Sequence, residues 1–362
     1  MINIAKPIIG QEEINAVIKV MESGAIASGA KVTEFENDFA EYLRINHAIA
    51  ASSGTTALEV ALKAAGIKKG DKIITTPFSF IASTNAIVYS GAIPVFADID
   101  ENTFDISPDS IEKVLENEGN IRALLIVHLY GQSCNMDWIM EIVKRHNLIL
   151  IEDCAQAHGA EWSGRKVGTF GDVAAFSFYP TKNMTTAEGG MVVTNDQAIA
   201  KSARQLINHG METRYFHDSI GYNYRMTNIA AAIGVVQVKK LDLFNQVRQR
   251  NAEFYNKNIS NEAIVKPYCD TNGKHVYHQY TLRIKQGRRE QFIKLLEENE
   301  IGYGVYYPLS IPEQKCYDRY GFSKNYPITD RIKNEIISIP IHPSLTEDEI
   351  EKIVNVMNSF GG

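Results

Sequence analysis

The strongest constraint on the fold of this chain is an alternation of short apolar segments with segments of helical periodicity, which begins near residue 45. The segments typical of strands are HAIAASS, KIITTPFSF, IPVFADID, RALLIVHLYG, LILIEDCAQ, AAFSFYP and GGMVVTN. Helices are predicted at 108–117, at 136–146 and in GTTALEVALKAAG, whose Leu58, Ala61, Leu62 and Ala65 share one face. Because continuous apolar strands require helices on both faces, the first two thirds predict a doubly wound α/β sheet.

The pattern changes after GYNYRMTN, where a long helical segment begins, with a break predicted between Leu241 and Asn245. From about residue 246, the strand segment HQYTLRIK alternates with the helical segments REQFIKLLEENE and TEDEIEKIVNVMNSF, as in α+β modules. A chain of 362 residues is long enough for about two domains. We therefore predict a large α/β domain over residues 1–245 and a small α+β domain over residues 246–362.

Composition and charge exclude several classes of function. The chain carries 37 Lys and Arg against 43 Asp and Glu, a net charge of −6, and its basic residues are scattered, so a nucleic-acid partner is not expected. No apolar segment reaches the roughly 20 residues of a membrane span, and the N-terminal segment lacks the apolar core of a signal peptide. The widely spaced Cys134, Cys154, Cys269 and Cys316 predict reduced thiols in a cytosolic setting, without a disulfide framework or structural zinc.

Polar residues collect where predicted strands end, and in an open α/β sheet ligands bind at that edge. In SSGTTA, Gly54 allows close backbone approach, the free amides of the following helix attract anions, and Thr55 and Thr56 add hydroxyl groups. This combination can hold a phosphate group. Taken alone, the same residues are more often a simple Ser/Thr helix cap with a glycine turn.

A second polar group closes the apolar segment LILIEDCAQAHG with Glu152, Asp153 and Gln156. A carboxylate at the end of a buried strand costs several kcal/mol unless it is paired. Such an acid therefore either has a cationic partner or caps a loop, and the sequence leaves both interpretations open. The strand-end Asp98 is interpreted as structural.

A third group is Lys182, which follows the strand segment AAFSFYP in a loop that ends at two glycines. Strand alternation places Ser177 on the same face as Ala175 and Tyr179. A lone loop lysine is usually a solvated surface charge. The sequence near TTPFSF adds Phe78 or Phe80, an aromatic residue that could cover a flat ring or belong to the core.

Together these groups fit one cofactor, pyridoxal phosphate. Its phosphate needs an anion cradle, its aldehyde needs an amine, and its pyridine nitrogen needs an acid that keeps it protonated. Desolvation and a neighbouring cation would lower the pKa of the lysine enough to make it nucleophilic. The predicted amine is Lys182 and the predicted acid is Asp153.

The chain also resembles a known family over nearly its whole length. The motifs that carry the resemblance are SGTTAL, P-x-x-F-x-A-S-x-N-A, GA-x-PVFADID, IEDCAQAHGA, G-x-VG-x-FGD, FSFYPTKN, EGGM and GYNYRMTN-x-x-AAIG. In this order and spacing they are similar to the nucleotide-sugar aminotransferases of the DegT/DnrJ type, which are fold-type-I pyridoxal-phosphate enzymes. The resemblance implies a large, mostly parallel sheet domain with a smaller α+β C-terminal domain.

The resemblance also implies residue roles. Lys182 corresponds to the Schiff-base lysine and proton shuttle, and Asp153 to the partner of the pyridinium nitrogen. The remaining implied cofactor contacts are Gly54, Thr55 and Ser177 at the phosphate, Phe80 stacked on the ring, Gln156 beside the ring hydroxyl, and Asn223 at the phosphate of the neighbouring subunit. The last of these implies a homodimer with shared active sites.

The family uses L-glutamate as amino donor and a nucleotide-linked ketosugar as acceptor. Glu188 in EGG favours amination at C4 of the sugar over C3, whereas Pro312 replaces a histidine that is common near the sugar site. Relatives that dehydrate sugars have histidine in place of the lysine, so Lys182 argues against dehydration. A non-catalytic regulator that binds the cofactor stays an alternative.

Two further features receive a structural interpretation from the sequence. A desulfurase would need a mobile thiol, and Cys154, at a strand end, is expected to be packed inside. His275 and His278 in HVYH lack acidic neighbours, so they are interpreted as a surface strand and not as a metal site.

Overall fold

The structure is a computed structural model that describes residues 1–361. Its helices are α1 (Gln11–Ser23), α2 (Ala30–Leu43), α3 (Gly54–Ala64), α4 (Ala82–Tyr89), α5 (Pro108–Asn117), α6 (Met136–His146), α7 (Gln197–Ile207), α8 (Asn228–Asn258), α9 (Arg289–Glu298), α10 (Pro327–Ile332) and α11 (Glu347–Ser359). Its strands are β1 (His47–Ala51), β2 (Lys72–Thr75), β3 (Ile93–Phe96), β4 (Ile121–Val127), β5 (Ile149–Asp153), β6 (Glu161–Trp162), β7 (Arg165–Lys166), β8 (Val173–Ser177), β9 (Gly190–Thr194), β10 (Met211–Thr213), β11 (Phe216–His217), β12 (Ile264–Val265), β13 (Gly273–Lys274), β14 (Tyr280–Ile284) and β15 (Ile336–Ile339).

The central sheet has seven strands in the order β1-β9-β8-β5-β4-β2-β3. The neighbours from β8 to β3 pair in parallel, and β9 pairs antiparallel with both β8 and β1. Each apolar segment of the first two thirds that was predicted as a strand contributes one strand to this sheet. The predicted mostly parallel α/β sheet is therefore confirmed.

Helices cover both faces of the sheet, and side-chain alternation decides which core each strand residue joins. Along β8, Ala175 packs with α3 in one core, whereas Phe176 packs with α2 and α8 in the other. Phe39 on α2 contacts Phe176 edge-on, at 5.1 Å between ring centroids. The predicted division of this strand, with Ser177 on the Ala175 side, follows from the same alternation.

The helices predicted at 108–117 and 136–146 coincide with α5 and α6. The break predicted between Leu241 and Asn245 is wrong, because α8 is continuous over 31 residues. Leu241, Phe244, Asn245 and Arg248 are all buried, and their spacing of three and four residues places them on one helical face. Because this face is buried against the protein core, the helix continues through residues 241–245.

The C-terminal part has its own sheet, in the order β12-β14-β15, with antiparallel pairing. Phe292 of α9 and Ile353 of α11 belong to its core, as does Ile2 from the N-terminal segment. The proposed domain division at residue 245 falls within α8. Of the helices in residues 1–361, none combines the length and apolar character needed to cross a membrane.

Candidate active site

A cavity of about 460 Å³ opens at the carboxyl ends of β5 and β8, beside the N-terminus of α3. The strands β5 and β8 are neighbours in the sheet, which explains why their terminal residues meet. The cavity brings together most of the predicted site residues: Gly54, Thr55, Phe80, Asp153, Gln156, Ser177 and Lys182. Thr56 and Asn223 do not line it.

The segment SSGTTA at the N-terminus of α3 is a Ser/Thr helix cap and also presents the free helix amides expected of a phosphate site. Ser53 is the N-cap, and its side chain accepts a hydrogen bond from the Thr56 amide at 3.2 Å. Thr56 in turn places its hydroxyl 3.0 Å from the Ser53 amide, so it closes the cap instead of facing the cavity. The first amides of a helix have no intrahelical acceptor, and Gly54 and Thr55 occupy these positions at the cavity wall.

Two glycines permit the close approach of α3 to the strands β8 and β9. A Cβ atom at Gly54 would lie 2.5 Å from the Ser177 Cβ. A Cβ at Gly190 would lie 2.2 Å from the Ser53 carbonyl oxygen. Any larger residue would therefore push the helix N-terminus away from the Ser177 hydroxyl. Gly54 and Gly190 therefore position the predicted phosphate cradle.

Asp153 ends β5 and is 4% exposed. Its carboxyl group accepts hydrogen bonds from the Ser83 hydroxyl at 2.7 Å and from the Ala155 amide at 3.0 Å. Burial raises the pKa of Asp153, and these two bonds together with the charge of Lys182 offset part of that rise. Because burial disfavours the charged form of Asp153, a positive group bound next to it would stabilise the carboxylate.

Lys182 is partly buried, and its exposure is towards the cavity that it lines. Its loop is tied back to β8, since the Lys182 amide donates to the Tyr179 carbonyl and the Thr186 amide to the Phe178 carbonyl. Desolvation lowers the pKa of Lys182 to about 8, against an opposing contribution from the Asp153 charge. The partial burial of Lys182 in the cavity wall, together with its lowered pKa, contradicts the solvated surface interpretation.

Glu152, the neighbour of Asp153, points to the opposite side of the sheet and has a structural role. It is fully buried, and its oxygens accept from the amides of Gly168, Phe170 and Gly171 at 2.7–2.8 Å. It also bonds the His128 ring at 3.0 Å. Glu152, His128 and Cys154 lie close enough together to hold a metal ion, but the carboxyl oxygens are already committed to N–H donors.

Aromatic residues and Gln156 form another part of the wall. The Gln156 side chain accepts from the Tyr130 amide at 2.7 Å and donates to the Tyr307 hydroxyl at 3.2 Å. Phe80 is 56% exposed, and its ring centroid lies 6.1 Å from that of Tyr307. Phe78, the other candidate for ring stacking, is buried in the core and does not line the cavity.

Sequence reasoning missed several cavity residues, among them Ser83, Tyr307 and His278. Ser83 lies on α4 in the motif P-x-x-F-x-A-S, which follows β2, so the motif offered a signal. His278 was interpreted as a surface residue, and this is wrong: His275 and His278 are each 5% exposed. Cys154, by contrast, is fully buried as expected, and burial raises the pKa of its thiol well above the ordinary value. It is therefore no candidate for a mobile nucleophile.

The donor set of the cavity fits pyridoxal phosphate. Helix amides at Gly54 and Thr55 with the Ser177 hydroxyl suit a phosphate, and the closeness of Gly54 to Ser177 leaves no room for a side chain there. The buried Asp153 suits a protonated ring nitrogen, and the low pKa of Lys182 suits an amine that attacks an aldehyde. Each chemical part of the cofactor has a matching group.

Comparison with known proteins identifies the family. The model of the DegT/DnrJ/EryC1/StrS aminotransferase family matches residues 7–358. The chain belongs to this family. As a DegT/DnrJ-type protein it is a pyridoxal-phosphate-dependent aminotransferase, and the family predicted from the motifs is confirmed.

Individual relatives support the assignment. The chain is 37% identical to the GDP-perosamine synthase of Caulobacter vibrioides, over 99% of this chain and 97% of that protein. It is 38% identical to the dTDP-3-amino-3,6-dideoxy-α-D-galactopyranose transaminase of Aneurinibacillus thermoaerophilus, over 97% of this chain and 96% of that protein. Among solved structures, S. venezuelae DesV in complex with a ketimine intermediate superposes with a TM-score of 0.92 at 33% identity, covering 96% of this chain and 93% of DesV. The fold-type-I prediction is thereby confirmed.

Proposed function

We propose that this aminotransferase transfers the amino group of L-glutamate to C4 of a nucleotide-linked ketosugar, yielding an aminosugar nucleotide and 2-oxoglutarate. The observation that carries the proposal is the meeting of Lys182 and Asp153 in one cavity, with the pKa of the lysine lowered to about 8. A nucleophilic amine beside a buried acid suits amino-group transfer.

The residue roles are proposed from the family resemblance and from the place of each residue in the cavity wall. The bound coenzyme supplies an electron sink for the carbon that gains or loses a proton. Asp153, oriented by Ser83 and Ala155, holds the ring nitrogen protonated. Gly54, Thr55 and Ser177 bind the phosphate, while Gln156 and Phe80 contact the ring. Lys182 is the amine that would hold the coenzyme and the base that would carry a proton to and from the amino-bearing carbon.

The acceptor is proposed from the names of relatives and from the cavity. Two relatives are named for nucleotide sugars, one a GDP-perosamine synthase and one a dTDP-3-amino-sugar transaminase. The cavity of about 460 Å³ lies within the usual range for small-molecule sites. Glu188, which favours C4, lines the cavity, whereas Pro312 is buried and does not line it. The glutamate donor is proposed from the family resemblance.

A homodimer with shared active sites forms part of the proposal. Asn223 is exposed and lies outside the cavity of its own subunit, where it is free to reach another. The nearby hairpin β10–β11 exposes Tyr215 and Phe216, and an apolar hollow lined by Met226, Ile229 and Ile233 adjoins the cavity at Glu188. Exposed apolar surface of this kind is typical of interaction sites. A second copy is the proposed occupant.

A cytoplasmic location is also proposed. The four cysteines are free thiols, and Cys134 and Cys154 are buried. This agrees with a reducing compartment.

The test uses the purified holoenzyme, nitrogen-15-labelled glutamate and a panel of nucleotide-linked 3-keto and 4-keto sugars. The expected product carries the label on C4, located by NMR. Label on C3 would show that the enzyme aminates C3 and not C4. Loss of water without label transfer would indicate a dehydratase. No turnover with any sugar would favour a coenzyme-binding regulator. Lys182→Ala is the control, since it should abolish both transfer and the borohydride-trapped coenzyme adduct.

A further inference from the structure

A chain of hydrogen bonds near Lys182 joins three buried side chains from distant segments: Asn245, Asn183 and His278. Asn245 on α8 donates from Nδ2 to the His158 carbonyl at 2.8 Å. Asn183, the residue after the lysine, donates from Nδ2 to Asn245 Oδ1 at 2.8 Å and to the Val276 carbonyl at 3.0 Å. The Oδ1 atom of Asn183 lies 3.2 Å from Nδ1 of His278.

The backbone carbonyls of His158 and Val276 determine which atoms donate and which accept along this series of hydrogen bonds. A carbonyl oxygen only accepts hydrogen bonds, so the atoms of Asn245 and Asn183 that face His158 and Val276 must be the amide nitrogens. The Oδ1 atom of Asn183 must then face His278. Because Oδ1 also only accepts, His278 has to carry its proton on Nδ1.

The second ring nitrogen of His278 is consequently a bare acceptor. Burial lowers the pKa of His278 well below its ordinary value, and the positive charges of Lys182 and Arg248 lower it further, so the ring stays singly protonated. His278 lines the same cavity as Lys182. Within the described part of the chain, Lys182 is the one lysine or arginine in that lining.

The backbone before β14 is held so that this ring reaches the cavity. Arg248 on α8 donates from Nη1 to the Tyr277 carbonyl at 3.1 Å and to the His278 carbonyl at 3.4 Å. Tyr277 has a φ of 44°, a left-handed conformation that a tyrosine adopts only when its surroundings impose it. The ring orientation therefore depends on α8 as well as on Asn183.

We propose that His278 is a positioning residue whose unprotonated Nε2 accepts a hydrogen bond from the Lys182 amine. This inference rests on the proposed function of Lys182. The bond leaves the lone pair of the amine directed away from His278 and towards the reacting atoms. It holds the released lysine in the cavity for proton transfer, a step in which orientation contributes strongly to rate.

Other charged or titratable groups lie near Lys182 and also influence how its protonation depends on pH. They come from several elements: Asp153, His158, Glu188, Arg248, Lys6 and Tyr307. All of them are retained in the variants below. A change in the titration of Lys182 is then attributable to His278.

Neutron diffraction from crystals of the unaltered holoenzyme tests the tautomer directly. The expected result is deuterium on Nδ1 of His278 and none on Nε2. Deuterium on Nε2 would overturn the inference whatever the activity of the enzyme. This measurement needs no variant, so a folding defect cannot obscure it.

The positioning role is tested by single-turnover transfer from glutamate in His278→Phe and His278→Gln. Loss of one hydrogen bond should slow the Phe variant about five- to tenfold, while Gln, whose amide oxygen can replace Nε2, should recover most of the rate. Because an acceptor stabilises the ammonium more than the neutral amine, the midpoint for coenzyme attachment to the Phe apoprotein should move to lower pH. His146→Gln, at an exposed histidine of α6 outside the cavity, should behave as the unaltered protein.

The outcomes separate this inference from the proposed function. If borohydride trapping places the coenzyme on a residue other than Lys182, the proposed function fails. If attachment to Lys182 is intact but the Phe variant has an unchanged rate and pH midpoint, only the role of His278 is refuted. Equal loss of rate in the His146 and His278 variants would also refute it.

Discussion

Glu152 and Asp153 are adjacent carboxyl groups, and we expect their amide substitutions to have opposite consequences. Four N–H donors face the Glu152 oxygens: Oε1 accepts from the amides of Phe170 and Gly171, and Oε2 from the Gly168 amide and the His128 ring. Glu152→Gln replaces one oxygen by an NH₂ group. In either amide orientation, two buried donors then face another donor.

His128 cannot relieve the conflict by changing its tautomer. Its Nδ1 accepts from the Cys134 amide at 3.1 Å, which keeps the proton on Nε2. A buried unsatisfied donor costs about 1–3 kcal/mol, so two of them lower the free energy of unfolding by about 2–6 kcal/mol. With an unfolding entropy of about 2.1 cal/mol/K per residue, this corresponds to a decrease in Tm of about 3–8 °C for a chain of this length.

Asp153→Asn is the matched control. The Ser83 hydroxyl can accept from the new NH₂ group as readily as it donates to the acid, and the Ala155 amide keeps an acceptor. Burial raises the pKa of Asp153, so removing its charge should change Tm by no more than about 2 °C. The half-reaction with glutamate should nevertheless slow greatly, because the ring nitrogen loses its acid.

The assay is calorimetry of the apoproteins, which removes the contribution of bound coenzyme to stability. Rates of the half-reaction are measured on the reconstituted enzymes. A Glu152→Gln protein as stable as the unaltered chain would refute the hydrogen-bond reasoning. An Asp153→Asn protein with an unimpaired half-reaction would remove Asp153 from the proposed mechanism.

Three further predictions follow from the site. Below its pKa of about 8, Lys182 is mostly protonated and unreactive. The rate of coenzyme attachment to the apoprotein should therefore rise about tenfold per pH unit up to that pKa and level off above it. Stopped-flow absorbance measures this rate, and a profile that does not change with pH would contradict the prediction. Gly54→Ala places a Cβ 2.5 Å from the Ser177 Cβ and should weaken coenzyme binding at least about tenfold, whereas Gly119→Ala, where nothing lies within 4 Å, should not; equal Kd values would refute the cradle. Mixing inactive Lys182→Ala and Asn223→Ala subunits should restore activity in heterodimers, because one of the two shared sites is then intact; an Asn223→Ala protein that is fully active alone would remove this residue from the proposal.

The main elements of the fold were readable from the sequence because each depends on local patterns. Apolar segments bounded by polar clusters located the strands, and helical periodicity located α5 and α6 to the residue. The break predicted in α8 failed for a physical reason. Asn245, a polar residue at the predicted break, is buried and bonded to Asn183 and the His158 carbonyl, so the helix continues through it.

The sequence also indicated most residues of the candidate site. Asp153 and Ser177 end strands, Lys182 follows a strand and Gly54 begins a helix. Parallel strands bring such ends to one edge of the sheet. The sequence could not separate Glu152 from Asp153, since both close the same apolar strand. Their roles differ because the neighbouring elements offer N–H donors to Glu152 and a ligand cavity to Asp153.

By itself, the sequence determined the class of fold, the family and its cofactor, and it predicted the edge of the sheet at which the site lies. These depend on the order and spacing of residue types along the chain. Only the tertiary structure decided the burial of His278, the direction of its hydrogen bonds and the lowered pKa of Lys182. Each of these arises from desolvation and contacts between segments far apart in sequence, which no local pattern encodes.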